Sequence, residues 1–276
     1  MKKIFLPTDF SDIANNAAHV AAYIARKSGA SIFLFHLINI PFDWSRLTVE
    51  QEKNYPELKA FIANSKKRLS DFASAELFKG INVEWEVFIN DSVDNIVNHA
   101  DVLQSDMIVM GTHGSSGFNE LVLGSNTQKV VRLSKVPVLA VNKVPQDYQL
   151  LDIALFSDFE NPDEYSRLLD QTLVLAQLFD AKVHLVKILT PADDTRYFDA
   201  VGLEGYMDSK KVKKETVRID YLRPVEEGIF EYIKTHKIDL VVIGTHGRAG
   251  LARLIMGSVA EIVVNHSPVP VLTAKI

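Results

Sequence analysis

Two glycine constellations are the residues in this chain best suited to chemistry. Gly111-x2-Gly114-x9-Gly124-Ser125 recurs as Gly244-x2-Gly247-x9-Gly257-Ser258, each copy placed after a continuous apolar run and before a helix-forming stretch. Glycine lacks a Cβ, so a ligand can approach the backbone closely and the chain can take positive φ. The unpaired N–H groups at a helix start, at the positive end of the helix dipole, receive phosphate oxygens. The Ser125 and Ser258 hydroxyls could donate to the same oxygens. The chemistry indicated is therefore anion binding. The plainer reading is a tight turn with close helix packing, but two intact copies favour a ligand. There is no GxxxxGK[ST] run, no GxGxxG spacing and no SGGxD run, which sets aside the Walker, dinucleotide and pyrophosphatase loops.

His113 and His246 lie inside the two GTHG tetrapeptides. Neither has a His, Asp or Glu at ligand spacing in its loop, which favours an orienting role over metal binding or proton transfer. His19, His36, His99, His184, His236 and His266 are scattered and read as surface or core. Lys66-Lys67-Arg68 and Lys210–Lys214 read as solvated faces.

The elements that must position these residues come in two sets. Asp106–Lys143 aligns without a gap on Asp239–Ile276, with 17 of 38 positions identical, and such self-similarity marks an internal repeat. Ile4–Phe10 likewise matches Ile153–Phe159. In the first half, strands are expected at Lys3–Pro7, Ser31–Ile38, Asn82–Phe88, Met107–Gly111 and Val136–Val141. Helical segments are expected at Ser11–Ser28, Glu50–Lys79, Ser92–Gln104 and Ser125–Leu133, with Ser11 and Ser92 as caps and Gly29 and Gly80 as stops. In the second half, strands are expected at Leu151–Ser157, Lys182–Leu189, Thr216–Tyr221, Leu240–Gly244 and Val269–Thr273. Runs such as Ile32–Phe35 and Met107–Met110 are continuously apolar, which implies strands buried on both faces of a parallel sheet. The segment Pro41–Lys79 reads as an amphipathic cover for the sheet or a partner surface. The polar stretch 143–149 reads as a short linker between domains 1–144 and 149–276.

In open α/β sheets, ligands sit beyond the carboxyl ends of the strands where the winding reverses. If the first and fourth strands are neighbours there, the loop Pro7-Thr8-Asp9-Phe10 meets the glycine loop. Asp9 could then accept from a base amino group or a ribose hydroxyl, and Asp158 holds the same place in the second half. The alternative for each Asp is a charge at a helix N-terminus.

Composition narrows the classes. The 276 residues are 47% hydrophobic and 24% charged, with net charge −5 and no cysteine. That excludes a disordered chain, a collagen-like fibre and disulfide or thiolate chemistry, and it argues against nucleic-acid binding. No uncharged apolar run approaches a membrane span. The start, Met1–Asp9, lacks the long apolar stretch of a signal peptide. A soluble, cytoplasmic protein is expected.

Taken together, the strand ILxPTDFS (Ile4–Ser11, with Phe5 and Leu6), the G-x2-G-x9-G-[ST] signature and the closing SxxPVLxV strand resemble the universal stress protein family, in its ATP-binding branch. The resemblance covers both halves end to end. It implies two open five-stranded parallel α/β sheets, ordered 3-2-1-4-5, with helices on both faces. Dimerisation through the last strand would make this chain an intramolecular pseudo-dimer, and a homodimer of whole chains is compatible with the same sequence. By position, Asp9 would contact the base, and Leu37 would lend backbone to it. Gly111 would lie by the ribose, while Gly114, Gly124, Ser125 and Asn126 would hold phosphates. The second-half matches are Asp158, Ile188, Gly244, Gly247, Gly257, Ser258 and Val259. Pro7, Thr8, Met110, Ser157 and Ile243 beside these positions, and His113, His246 and Arg248 in the loops, are expected among the nucleotide-binding residues, with Arg248 able to pair with phosphate.

The halves differ. Phe156-Ser157 stands where the first half has Pro7-Thr8, and Glu160, Asp163 and Glu164 follow, whereas Arg248 replaces Ser115 after the glycine pair. Two inequivalent sites are expected, for ATP or another adenine nucleotide, with Mg as its natural companion. The leading expectation is a regulatory ATP-binding protein of the stress response with protein partners of unspecified kind. The alternatives are a weak ATPase or phosphotransfer enzyme and a ligand-free dimerisation scaffold.

Overall fold

Strand β1 (Lys3–Pro7) buries Ile4, Phe5 and Leu6 completely. Its neighbour β2 (Ser31–Ile38) sends Ile32 and Leu34 to one face and Phe33 and Phe35 to the other. Both faces are thus apolar, as a helix-covered parallel strand requires. A computed structural model describes all residues except 42, 91, 113–124, 146, 160–161, 190–212, 221–223, 246–257 and 276. The remaining described strands are β3 (Val83–Ile89), β4 (Met107–Gly111), β5 (Val138–Val141), β6 (Asp152–Phe156), β7 (Lys182–Leu189), β8 (Lys214–Asp220), β9 (Leu240–Thr245) and β10 (Val271–Lys275).

The two five-stranded sheets expected from the sequence are joined edge to edge into one sheet, ordered β3-β2-β1-β4-β5-β10-β9-β6-β7-β8. Each half keeps the order 3-2-1-4-5. The join is the antiparallel pair β5–β10, and the other described pairs are parallel. The physical reason is the bareness of the last strand of each half. Val138, Leu139, Ala140 and Val141 are all buried, as are Val271 and Leu272, and an apolar edge left open would template aggregation.

Helix α1 (Asp12–Ser28) starts at Ser11, whose side chain accepts from the Ala14 N–H, and ends at Gly29 in the left-handed region at φ 73°. The long helix expected at Glu50–Lys79 is broken in two, α2 (Val49–Glu52) and α3 (Pro56–Ala73), followed by a short turn of helix at Glu76–Phe78. Pro56 explains the break: it has no N–H to continue α2 but suits the first turn of α3. Ile62 and Leu69 of α3 are buried in the same apolar cluster as β2, so this segment covers the sheet.

The other described helices are α4 (Val93–Val102), α5 (Ser125–Leu133), α6 (Pro162–Phe179), α7 (Val225–His236) and α8 (Ser258–His266). Ser92 caps α4 through the Asn95 N–H. One apolar layer, with α1, α3 and α6, runs across both halves on one face of the sheet; a second, with α4, α5, α7 and α8, covers the other. Tyr23 of α1 stacks on Phe179 of α6, with ring centroids 4.8 Å apart, tying the halves together on the first face.

The connection between the halves is firmly held. Tyr148 donates to the Asp239 carbonyl at 3.1 Å and packs edge-on against Tyr23. Burial, reinforced by Asp239 and Tyr23, pushes its phenol well above the usual range. Asp239 Oδ2 accepts from the Leu151 and Asp152 N–H groups, both at 2.9 Å. Its repeat counterpart Asp106 does the same for Lys2 and Lys3. None of the described helices is long and apolar enough to cross a membrane.

Candidate functional site

The first and fourth strands of each half are neighbours: Ile4 pairs with Met107 and Phe5 with Ile108, and in the second half Phe156 pairs with Ile243. The winding therefore reverses between β1 and β4, and again between β6 and β9. At each reversal the loop after the first strand lies beside the end of the fourth.

In the first half, β1 ends at Pro7, and the Thr8 N–H donates to the Phe35 carbonyl at 2.9 Å, carrying the ladder one residue further. Thr8 is buried, and its Oγ1 accepts from the Phe10 N–H at 3.0 Å. Phe10 sits at φ 61°, a strained conformation for a bulky residue, and a local hydroxyl-to-backbone bond of this kind sustains it. The second half repeats the device: the Phe159 N–H donates to Ser157 Oγ at 3.2 Å, with Phe159 at φ 55°. Ser157 thus does what Thr8 does. The Asp9 carboxylate accepts from the Ser11 N–H at 3.0 Å, at the mouth of α1, so the helix-terminus role of this residue is real. Asp9 is half-buried and Asp158 is exposed.

Gly111 ends β4 opposite Val141. A Cβ there would lie 2.9 Å from Ile13 Cγ2, 3.1 Å from the Ile13 carbonyl carbon and 3.2 Å from the Ala14 nitrogen. The first turn of α1 is thus pressed onto the end of β4, and glycine is what permits it. Thr127, buried in the first turn of α5, donates to the Gly111 carbonyl at 2.7 Å. Strand end, α1 start and α5 start therefore converge. The helices α5 and α8 begin at Ser125 and Ser258, where the sequence places them, so both present helix N-termini. Asn126 is exposed on the first turn of α5, whereas Val259 packs against the core on α8.

Leu37 pairs with Phe88 on β3. Met110, Ile188 and Ile243 are buried in the core layer of α4, α5, α7 and α8, and Gly244 pairs with Ala274. His113, Gly114, Gly124, His246, Gly247, Arg248 and Gly257 lie outside the described residues, as does Glu160.

Arg68 is a residue whose place the sequence did not reveal. Read there as part of a solvated face, it instead lies over the Phe10 ring at 4.2 Å, a cation–π contact. Phe10 also meets His36 and Phe72, at 4.6 and 5.9 Å. The His36 Nδ1 bonds the Thr8 carbonyl at 2.8 Å. Burial lowers the His36 pKa; Arg68 adds to this, while the Thr8 carbonyl and Asp9 oppose it. Lys187, almost fully buried, occupies the equivalent place in β7. Only a folded α3 brings Arg68 here, and no spacing signal links it to Phe10.

Strand order and paired switch points define a tandem open α/β protein, and in the first half the starts of α1 and α5 converge on the end of β4. Sequence comparison agrees: a model of the universal stress protein family matches residues 1–142 and 158–275. The chain belongs to the universal stress protein family, as a tandem of two units. It is 23% identical over its whole length to the full-length universal stress protein Slr1230 of Synechocystis sp.. It is 30% identical, over 51% of this chain and 82% of the relative, to universal stress protein MJ0531 of Methanocaldococcus jannaschii. In fold it is similar to the crystal structure of a universal stress protein from Archaeoglobus fulgidus, with TM-score 0.78 and 19% identity over 99% of this chain and 98% of that one.

Proposed function

We propose that the protein is a nucleotide-binding regulator of the stress response, acting in the cytoplasm, with an adenine nucleotide such as ATP at each of two inequivalent crevices. Domains 1–144 and 149–276 would each hold one. The carrying observation is the convergence at one switch point of Asp9, the Gly111 strand end and the first turn of α5. A half-buried carboxylate is suited to an amino or hydroxyl donor, and a helix N-terminus to phosphate, so the described groups fit the two ends of a nucleotide. Gly114, Gly124, Ser125 and Asn126 would hold the phosphates, with Mg as the triphosphate's companion. In the second domain, Asp158, Gly244, Gly247, Arg248, Gly257 and Ser258 would do the same work with a different charge balance. The reading is a binder whose occupancy controls protein partners, since the assigned groups are contacts to base and phosphate.

Heating freshly purified protein and identifying the released small molecules by chromatography tests this. An adenine nucleotide at near-stoichiometric yield is expected. Empty protein that also fails to take up added ATP would overturn it.

A further inference from the structure

The join between the halves carries a chemical asymmetry. In β5–β10, Leu139 pairs with Leu272, and these two residues occupy the same place in the repeat. A pseudo-twofold axis therefore passes through that pair. On the helices above, Gln128 Nε2 of α5 donates to Glu261 Oε1 of α8 at 2.5 Å, and these positions too are repeat equivalents, separated by the same 133 residues. At a twofold interface, a residue on the axis meets its own counterpart. A half pairing with a like half would thus set Gln128 against Gln128, or Glu261 against Glu261.

We infer that this join is built to accept the unlike half and to reject a like half from a second chain, with Gln128 and Glu261 as the selecting residues. The amide donates and the carboxylate accepts, so one of each makes a charge-assisted bond. Two carboxylates at that separation would repel, and like-charge juxtaposition is how interfaces suppress wrong partners. Thr273 adds to the asymmetry. Its buried hydroxyl donates to the Val138 carbonyl at 3.2 Å, while its counterpart Ala140 has no hydroxyl to return. The alternative assembly available to a tandem chain pairs first half with first half and second with second across two chains, and it contains the Glu261–Glu261 contact. The internal arrangement contains none.

The test uses the full chain and three variants: Gln128→Glu, Glu261→Gln and both changes together. Gln128→Glu should lower Tm by about 3–8 °C. The double variant restores one amide and one carboxylate across the axis and should recover most of that loss, a non-additive outcome. After refolding from denaturant, Glu261→Gln should raise the two-chain association constant, read by sedimentation, by about tenfold. A double variant as unstable as Gln128→Glu alone, or association unchanged by Glu261→Gln, would overturn the inference.

Discussion

The Thr127 hydroxyl donates to the Gly111 carbonyl at 2.7 Å and so clasps the start of α5 to the end of β4. The equivalent of Thr127 in the second half is Ala260, which is buried and carries no hydroxyl. The two ends of the glycine loop are therefore tied in the first half by a bond the second half cannot make. Thr127→Ala should destabilise the first half by about 1 kcal/mol and weaken the nucleotide binding proposed for it by up to about tenfold. Titration calorimetry that resolves the two sites would read both the loss and the unaltered second site.

Gly111 allows a second prediction. Because its Cβ would meet Ile13 and the backbone of α1, Gly111→Ala forces the helix off the strand end and should cost about 1–3 kcal/mol. Urea denaturation gives that number. Gly29→Ala is the contrast: the added Cβ meets nothing, and only the left-handed backbone, φ 73°, opposes it, for about 1 kcal/mol.

Much of this arrangement is legible in the sequence, and what escapes is instructive. The apolar runs give β1, β2 and β4 at the observed bounds, the repeat gives β7, and the Gly-Ser pairs mark the first residues of α5 and α8. These signals are local: buried strands need continuous apolar runs and helix starts need caps. The third strands shift by one or two residues, and the fifth begin two residues later than expected, just after Pro137 and Pro270, which have no N–H to give a ladder. The candidate site needs long-range information. That Gly111 serves helix packing, that Ser157 substitutes for Thr8, and that Arg68 lies over Phe10 all depend on elements far apart in the chain.

His36 predicts a pH dependence. Burial lowers its pKa from the ordinary value of 6.5, so between the two values the unfolded chain binds more protons than the folded one. Stability is then full above about pH 6.5 and falls as pH drops toward the folded-state value. His36→Gln should flatten this slope on the acid side. Thermal melts of both proteins between pH 5 and 8 would show it; parallel curves would count against the assignment.

Tyr148→Phe removes the bond to the Asp239 carbonyl while keeping the ring against Tyr23. A loss of about 0.5–1.5 kcal/mol is expected, concentrated at the junction. Hydrogen exchange at Leu151 and Asp152 should accelerate, since Asp239 anchors both amides.

The most direct measurement is ATP titration of the full chain against Gly124→Glu, Gly257→Glu and the double variant. A carboxylate in each glycine loop opposes a phosphate by charge and by bulk. Two sites in the unaltered protein, one in each single variant and none in the double variant is the expected pattern. Undiminished ATP binding by the double variant would contradict it.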